Sequence, residues 1–255
     1  MHSASWIVRR WVNGLRRVAA GLPRSEEAVW PGVRNDLFVA HESIYAFAAR
    51  FVPGRRVLDA ACGTGYGSFL LAERGAASVL GIDRDRRRLR YARRHFRAPR
   101  LAFEEQDCSH LALAPGSFDV IVTSNTLEHL PEPGRFLAAA ARALAPGGCA
   151  VVAVPPVLSA ADLDLHAVNR FHLAPLSVHA WAELFRAGGW DATFFTHFCR
   201  RELDFSSPFP SSAALADFAL AEAPVEAAYA RAPLTALWVL RPRENAFTGE
   251  PIPAR

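Results

Sequence analysis

The sequence predicts an α/β protein, a doubly wound and mostly parallel sheet with helices on both faces. Three observations carry that reading. Apolar strand-like runs alternate with helical segments between residues 56 and 154, a glycine turn (Gly63-Thr64-Gly65-Tyr66-Gly67) follows the first run, and the second run ends in a carboxylate, Asp83. Such alternation implies crossover connections and a sheet covered on both sides. At 255 residues the chain can bury a full core, and one large domain is expected rather than two small ones.

The elements follow in chain order. Residues 1–24 carry five arginines and no acid. There Trp6, Ile7, Trp11, Leu15 and Val18 recur at helical spacing with Arg9, Arg10, Arg16 and Arg17 between them, which describes a basic amphipathic helix. It is expected to pack on the domain as a lid within an N-terminal helical cap over 1–48, with contact to a membrane surface as the alternative. A cleaved signal is not expected, because the apolar run is short and broken by arginine. Strands are expected at 56–60, 78–82, 101–105, 118–123 and 149–154, with helices between them. The stretch after Pro155-Pro156 reads as polar as far as His172, and a helix runs from Ser177 to Ala187, ended by Gly188-Gly189. Further strands are expected at 191–199 and 234–240, separated by a Ser- and Pro-rich loop and a short helix reaching Ala223. The main domain therefore covers 49–242, and 243–255 reads as a loose tail.

Composition excludes several function classes. Every one of the 29 basic residues is arginine, so Schiff-base chemistry and a phosphate-loop lysine are out. The nine arginines between Arg84 and Arg100 surround Leu89, Ala92 and Phe96 at helical spacing, with acids near and no interleaved aromatic platform. They read as a solvated helix face, and no nucleic-acid partner is expected. Cys62, Cys108, Cys149 and Cys199 show neither metal-ligand spacing nor a disulfide framework, which suits a reduced, cytoplasmic location. No stretch reads as a membrane span.

The glycine turn identifies the ligand class. Gly63, Gly65 and Gly67 let backbone approach a bound molecule, and Asp83, 20 residues after Gly63, is placed to accept from ribose hydroxyls. A dinucleotide fingerprint wants glycine where Ser68 stands. Asp59, four residues before Gly63, would oppose a pyrophosphate but suits an ammonium-bearing ligand such as the methionine part of S-adenosylmethionine.

With these residues the chain resembles the class I S-adenosylmethionine-dependent methyltransferases of the broad small-molecule type. The resemblance covers Val57 to Pro155. It rests on Asp59-x-x-x-Gly63-x-Gly65, Gly81-Ile82-Asp83, Gln106-Asp107-Cys108, Phe118-Asp119-Val120-Ile121, Leu127-Glu128-His129-Leu130 and Leu144-Ala145-Pro146-Gly147-Gly148, in family order. It implies a Rossmann-like sheet of seven strands whose last strand is antiparallel and inserted beside its neighbours. It also implies that Asp59 and the Gly63 backbone hold the methionine end, with Ala61, Gly65 and Tyr66 along the same turn. Asp83 would bind the ribose, Arg84 would flank the adenosine, Asp107 would meet the adenine amino group and the Cys108 backbone the ring. Asn125 would lie beside the methionine moiety. Ala61 departs from the family, which has glycine there.

The acceptor is less legible. If it is a hydroxyl or a protonated amine, a base within reach adds to the rate, and histidine is the usual choice. By resemblance His129 borders the acceptor cleft, and Asn169-Arg170-Phe171-His172 lines it; these make His129 and His172 the candidate catalytic residues, with His166 the weaker third. Structural hydrogen bonding is the competing role for each. Trp30, His41, Tyr45 and Tyr66 could close the cleft, with packing as their default. The paired carboxylates and Asn of metal-dependent catechol enzymes are lacking, so no metal is expected. The sequence thus predicts metal-independent methyl transfer to a small molecule, oxygen before nitrogen, by a monomer or homodimer. A lipid- or polymer-linked acceptor at a membrane surface is one alternative, and a non-catalytic cofactor-binding protein another.

Overall fold

A computed structural model describes residues 29 and 31–243. The basic segment at 1–24, Trp30 and the tail beyond Arg243 lie outside the described residues. Five strands form the parallel part of one sheet: β1 (Arg56–Ala60), β2 (Ser78–Asp83), β3 (Leu101–Glu105), β4 (Phe118–Ser124) and β5 (Leu144–Val154). Three antiparallel strands complete it, β6 (Trp190–Cys199), β7 (Phe218–Glu222) and β8 (Ala236–Pro242), in the order β3-β2-β1-β4-β5-β8-β6-β7. The last strand is inserted between β5 and β6 and runs antiparallel to both, as expected.

The central strands are apolar on both faces because both are covered. Leu58, Ile121, Val152 and Trp238 join Phe136 of α4 (Pro133–Ala143) and Trp181 and Phe185 of α6 (Val178–Ala187) in one core. Their neighbours Val57, Val120, Val122, Val151 and Val239 face the other way, onto Ile44 and Phe47 of α1 (Asp36–Ala48) and Leu71 of α2 (Tyr66–Glu73). Helix α3 (Arg86–His95) buries Leu89 and Ala92 and leaves most of its arginines exposed, the solvated face that its spacing predicts.

Two expectations are corrected. The stretch up to Ala223 is not a helix but β7, so the sheet has eight strands rather than seven. Its alanine and leucine favour a helix, but pairing with β6 and burial of Phe218 against Val39 and Ala213 outweigh that preference. The polar stretch after Pro156 contains a helix, α5 (Ala160–Ala167), started by a capping box in which Ser159 and Asp162 bond each other's backbone N–H. None of its residues is buried, so no apolar stripe announced it.

Strand order reverses between β1 and β4, which run side by side while their chain-order neighbours lie on opposite flanks. In open α/β sheets the crevice at the C-terminal ends of such a pair receives the ligand. Here those ends are Ala60 and Ser124.

Candidate cofactor and acceptor site

Asp59 is completely buried on β1. Its carboxylate accepts from Ser68 Oγ (2.6 Å) and from the Tyr45 hydroxyl (3.1 Å), both neutral donors. Burial pushes its pKa up to about 7; the two hydrogen bonds oppose that shift and the nearby Asp83 adds to it. A buried carboxylate held only part-way to ionisation by hydroxyls fits an incoming ammonium. Ser68, which read as a departure from a dinucleotide pattern, is thus an anchor for Asp59. Gly81 lies against it, since a Cβ there would come within 2.7 Å of Ser68 Oγ.

The turn after β1 is built from left-handed backbone. Gly63 (φ 58°) and Gly65 (φ 85°) take it without strain, but Ala61 also adopts it (φ 60°), where an L-residue is disfavoured. A Cβ on Gly63 would meet nothing within 4 Å, so the turn opens toward free space. Gly65 and Gly67 also permit close packing: a Cβ on Gly65 would approach Ala92 at 2.6 Å, and one on Gly67 would run into the Tyr45 ring. Tyr66 starts α2, its half-buried ring against Phe38 (4.8 Å between centroids) and Tyr45 (5.5 Å).

Asp83 ends β2, is 3% exposed, and accepts from the N–H of Gly63 (2.8 Å) and of Asp85 (2.8 Å). It therefore ties the glycine turn to the next strand. The backbone N–H of Gln106 reaches the Asp83 carbonyl (3.2 Å), which brings Gln106-Asp107-Cys108 to the same edge. Asp107 caps the short turn Cys108–His110 by accepting from Ser109 N–H (2.8 Å), and that bond holds its pKa below the usual value. Arg84 is exposed and lowers it further. Cys108 is buried, its thiol pushed up to about 12 by burial and then by Asp83.

Past the end of β4, Asn125 also has left-handed backbone (φ 50°), which asparagine tolerates, and its N–H bonds Ala153 O (2.8 Å). The turn Leu127–His129 follows. His129 Nδ1 lies 2.8 Å from the Phe171 carbonyl and so carries the proton, leaving the lone pair on Nε2, 3.8 Å from Glu128 Oε1. Asn169 turns the chain by accepting from Phe171 N–H, and the His172 N–H bonds the Asn169 carbonyl. The His172 ring then stands edge-on to His129 (5.0 Å) and stacked on His166 (4.7 Å), with the two Nδ1 atoms of that stacked pair 2.7 Å apart.

The fold thus brings Asp59, Ala61, Gly63, Asp83, Asp107 and Asn125 to the strand ends and gathers His129, His172 and His166 beside them. Tyr45, Ser68 and Glu128 also belong to the arrangement, and the sequence, which marks each of them for another reason, does not reveal these contacts. His41, by contrast, neighbours the buried His197; burial holds both imidazoles down to about 4, a packing role. An open cavity of about 320 Å³ lined by Arg50, Arg55 and Arg241 lies toward the opposite ends of the strands and shares no residue with the site.

Residues 57–148 match a family model described as a methyltransferase domain. A probable S-adenosylmethionine-dependent methyltransferase of Mycolicibacterium smegmatis is 32% identical over 68% of this chain and 66% of its own length. A ubiquinone biosynthesis O-methyltransferase of Ralstonia nicotianae is 41% identical over 37% of this chain and 41% of its own. This chain spans less than two thirds of the length of either relative. Among solved structures, an S-adenosylmethionine-dependent methyltransferase from Mesorhizobium loti superposes with a TM-score of 0.56 over 79% of this chain and 99% of its own, at 20% identity. That likeness speaks for the fold.

Proposed function

We propose that this chain is an S-adenosylmethionine-dependent methyltransferase, a reading supported by the methyltransferase-domain match over residues 57–148 and by its relatives, and that it methylates an oxygen atom of a small-molecule acceptor. The observation that carries the cofactor half is the pair of buried carboxylates, Asp59 and Asp83, on either side of an open glycine turn. Asp59, whose partners are neutral hydroxyls, holds the ammonium of the methionine end, and the Gly63 backbone lies beside it. Asp83 takes the ribose, with Arg84 and Asp107 flanking the adenosine and the Cys108 backbone at the ring. When bound, S-adenosylmethionine supplies a sulfonium-activated methyl group. The chain's own contribution is positioning, potentially about 7–11 kcal/mol where alignment is good, together with help in removing the acceptor's proton.

His129 and His172 provide that help. The Phe171 carbonyl fixes the His129 tautomer so that its Nε2 lone pair is presented. Oxygen is favoured over nitrogen by the 41% identity to the ubiquinone biosynthesis O-methyltransferase over 98 residues. The test pairs binding with turnover. Asp83→Ala is expected to weaken S-adenosylmethionine and S-adenosylhomocysteine at least tenfold by calorimetry, whereas His129→Ala lowers turnover more than cofactor affinity. An indifferent Asp83→Ala, or preferential binding of NAD, overturns the cofactor assignment. No formation of S-adenosylhomocysteine with a panel of phenols, catechols and amines overturns the methyl-transfer reading.

A further inference from the structure

We propose that Glu128, His129 and His172 form a binding site for a single zinc-class divalent cation. One ligand atom from each of the three lies within 4.8 Å of the others, and Glu128 is 3% exposed. Around a tetrahedral cation with bonds of about 2.0–2.2 Å, ligand atoms stand roughly 3.4 Å apart. The 3.8 Å from His129 Nε2 to Glu128 Oε1 is already close to that spacing, and small rotamer adjustments bring in His172.

The surroundings are those of a ligand set. A metal-binding imidazole commonly donates its other N–H to a carbonyl or similar acceptor, which fixes the tautomer and raises basicity. His129 does so to Phe171 O at 2.8 Å. At 2.7 Å the Nδ1 atoms of His166 and His172 share one proton; with that proton on His172, its Nε2 carries the lone pair, and His166 is the orienting partner. Two imidazoles and one carboxylate suit zinc-class cations over magnesium or calcium, which take oxygen donors. Three protein ligands leave a fourth position, and the half-buried His129 and His172 rings keep it accessible from outside.

The sequence hides this site because its ligands come from two segments, residues 128–129 after β4 and residue 172 after α5, with no metal-binding spacing between them. The ligand class for the fourth position is a hydroxyl oxygen, whose pKa a cation lowers. With the cation in place the lone pairs of His129 and His172 are bound to it, and lowering that pKa replaces proton removal by the free imidazoles; that role rests on the methyl-transfer reading, and cation binding itself does not.

The experiment uses the full chain, stripped with chelator and desalted. Zinc titration by calorimetry and elemental analysis are expected to give one cation per chain with micromolar or tighter affinity, and cobalt substitution a visible tetrahedral absorption band. Glu128→Gln and His172→Ala should each weaken zinc at least tenfold, and His166→Ala about 10- to 100-fold. His179→Ala, exposed and with its ring stacked on Tyr229 rather than in the cluster, should leave it unchanged. S-adenosylhomocysteine binding is measured on every sample, so a misfolded variant is recognised and a failed cofactor reading is seen separately. No stoichiometric uptake by the wild-type chain at 100-fold excess cation over protein, or uptake that survives the Glu128→Gln/His172→Ala double substitution, overturns the proposal.

Discussion

Asp59 sets the first expectation at the scale of single residues. Its pKa of about 7 lies above the ordinary 3.8, so the folded chain binds more protons than the unfolded chain between those values. The resulting stabilisation is complete below pH 3.8 and is lost as pH rises through about 7. An ammonium ligand needs the ionised form. Affinity for S-adenosylhomocysteine should therefore fall up to about tenfold per unit as pH drops below 7 and level off above it. Asp59→Asn should bind weakly with no such slope; a titration that is flat from pH 5 to 8 in the parent chain contradicts the assignment. Ala61 sets a second expectation. Left-handed backbone costs an L-residue about 1–2 kcal/mol, and glycine gives back part of that gain in chain entropy, about 0.5–1 kcal/mol. Ala61→Gly should raise the melting temperature by about 1–3 °C, and a lowered value would mean that its methyl packs usefully. Asp59, Asp83 and the glycines were legible because their chemistry is local to one turn. The sequence offers Tyr45 only as a residue that could close the cleft; its bond to Asp59, 14 residues downstream, shows only when α1 is docked.

Elements connect these residues. Helix α1 presents Tyr45 to Asp59 and rests its ring on Gly67, the third residue of the sequence's glycine run. Gly67 therefore permits the close approach of the helix to the turn. Gly67→Ala should cost about 1–3 kcal/mol by overpacking and, by displacing Tyr45, weaken the cofactor as well. Unchanged stability would mean that α1 shifts freely, and a fluorescence melt reads the difference. The strands at 56–60 and 101–105 agree residue for residue with expectation, and β2 and β4 run one residue longer, because apolar runs bounded by glycine and charge define a buried strand. Elements decided by edges were misread. Strand β7 exists because β6 offers an open edge, and α5 because two capping residues hold a helix that buries nothing.

For the whole molecule, the doubly wound sheet sends the turns after β1, β2, β4 and β5 to one end, and the candidate residues follow them. The role of the basic segment at 1–24, outside the described residues, is open to direct test. No helix among the described residues is long and apolar enough to cross a membrane. If the N-terminal segment serves as a lid, deleting residues 1–22 should lower turnover without altering sedimentation with anionic vesicles. Loss of vesicle binding on deletion would instead favour a lipid-linked acceptor.

The sequence by itself determined the parallel strands, the glycine turn and the two carboxylates, since strand periodicity and glycine geometry act over a few residues. Only the tertiary structure decided what lies beside them. Tyr45 and Ser68 around Asp59, and the meeting of Glu128 and His129 with His172, depend on long-range packing: chain segments far apart in sequence become neighbours only when the sheet's ends assemble.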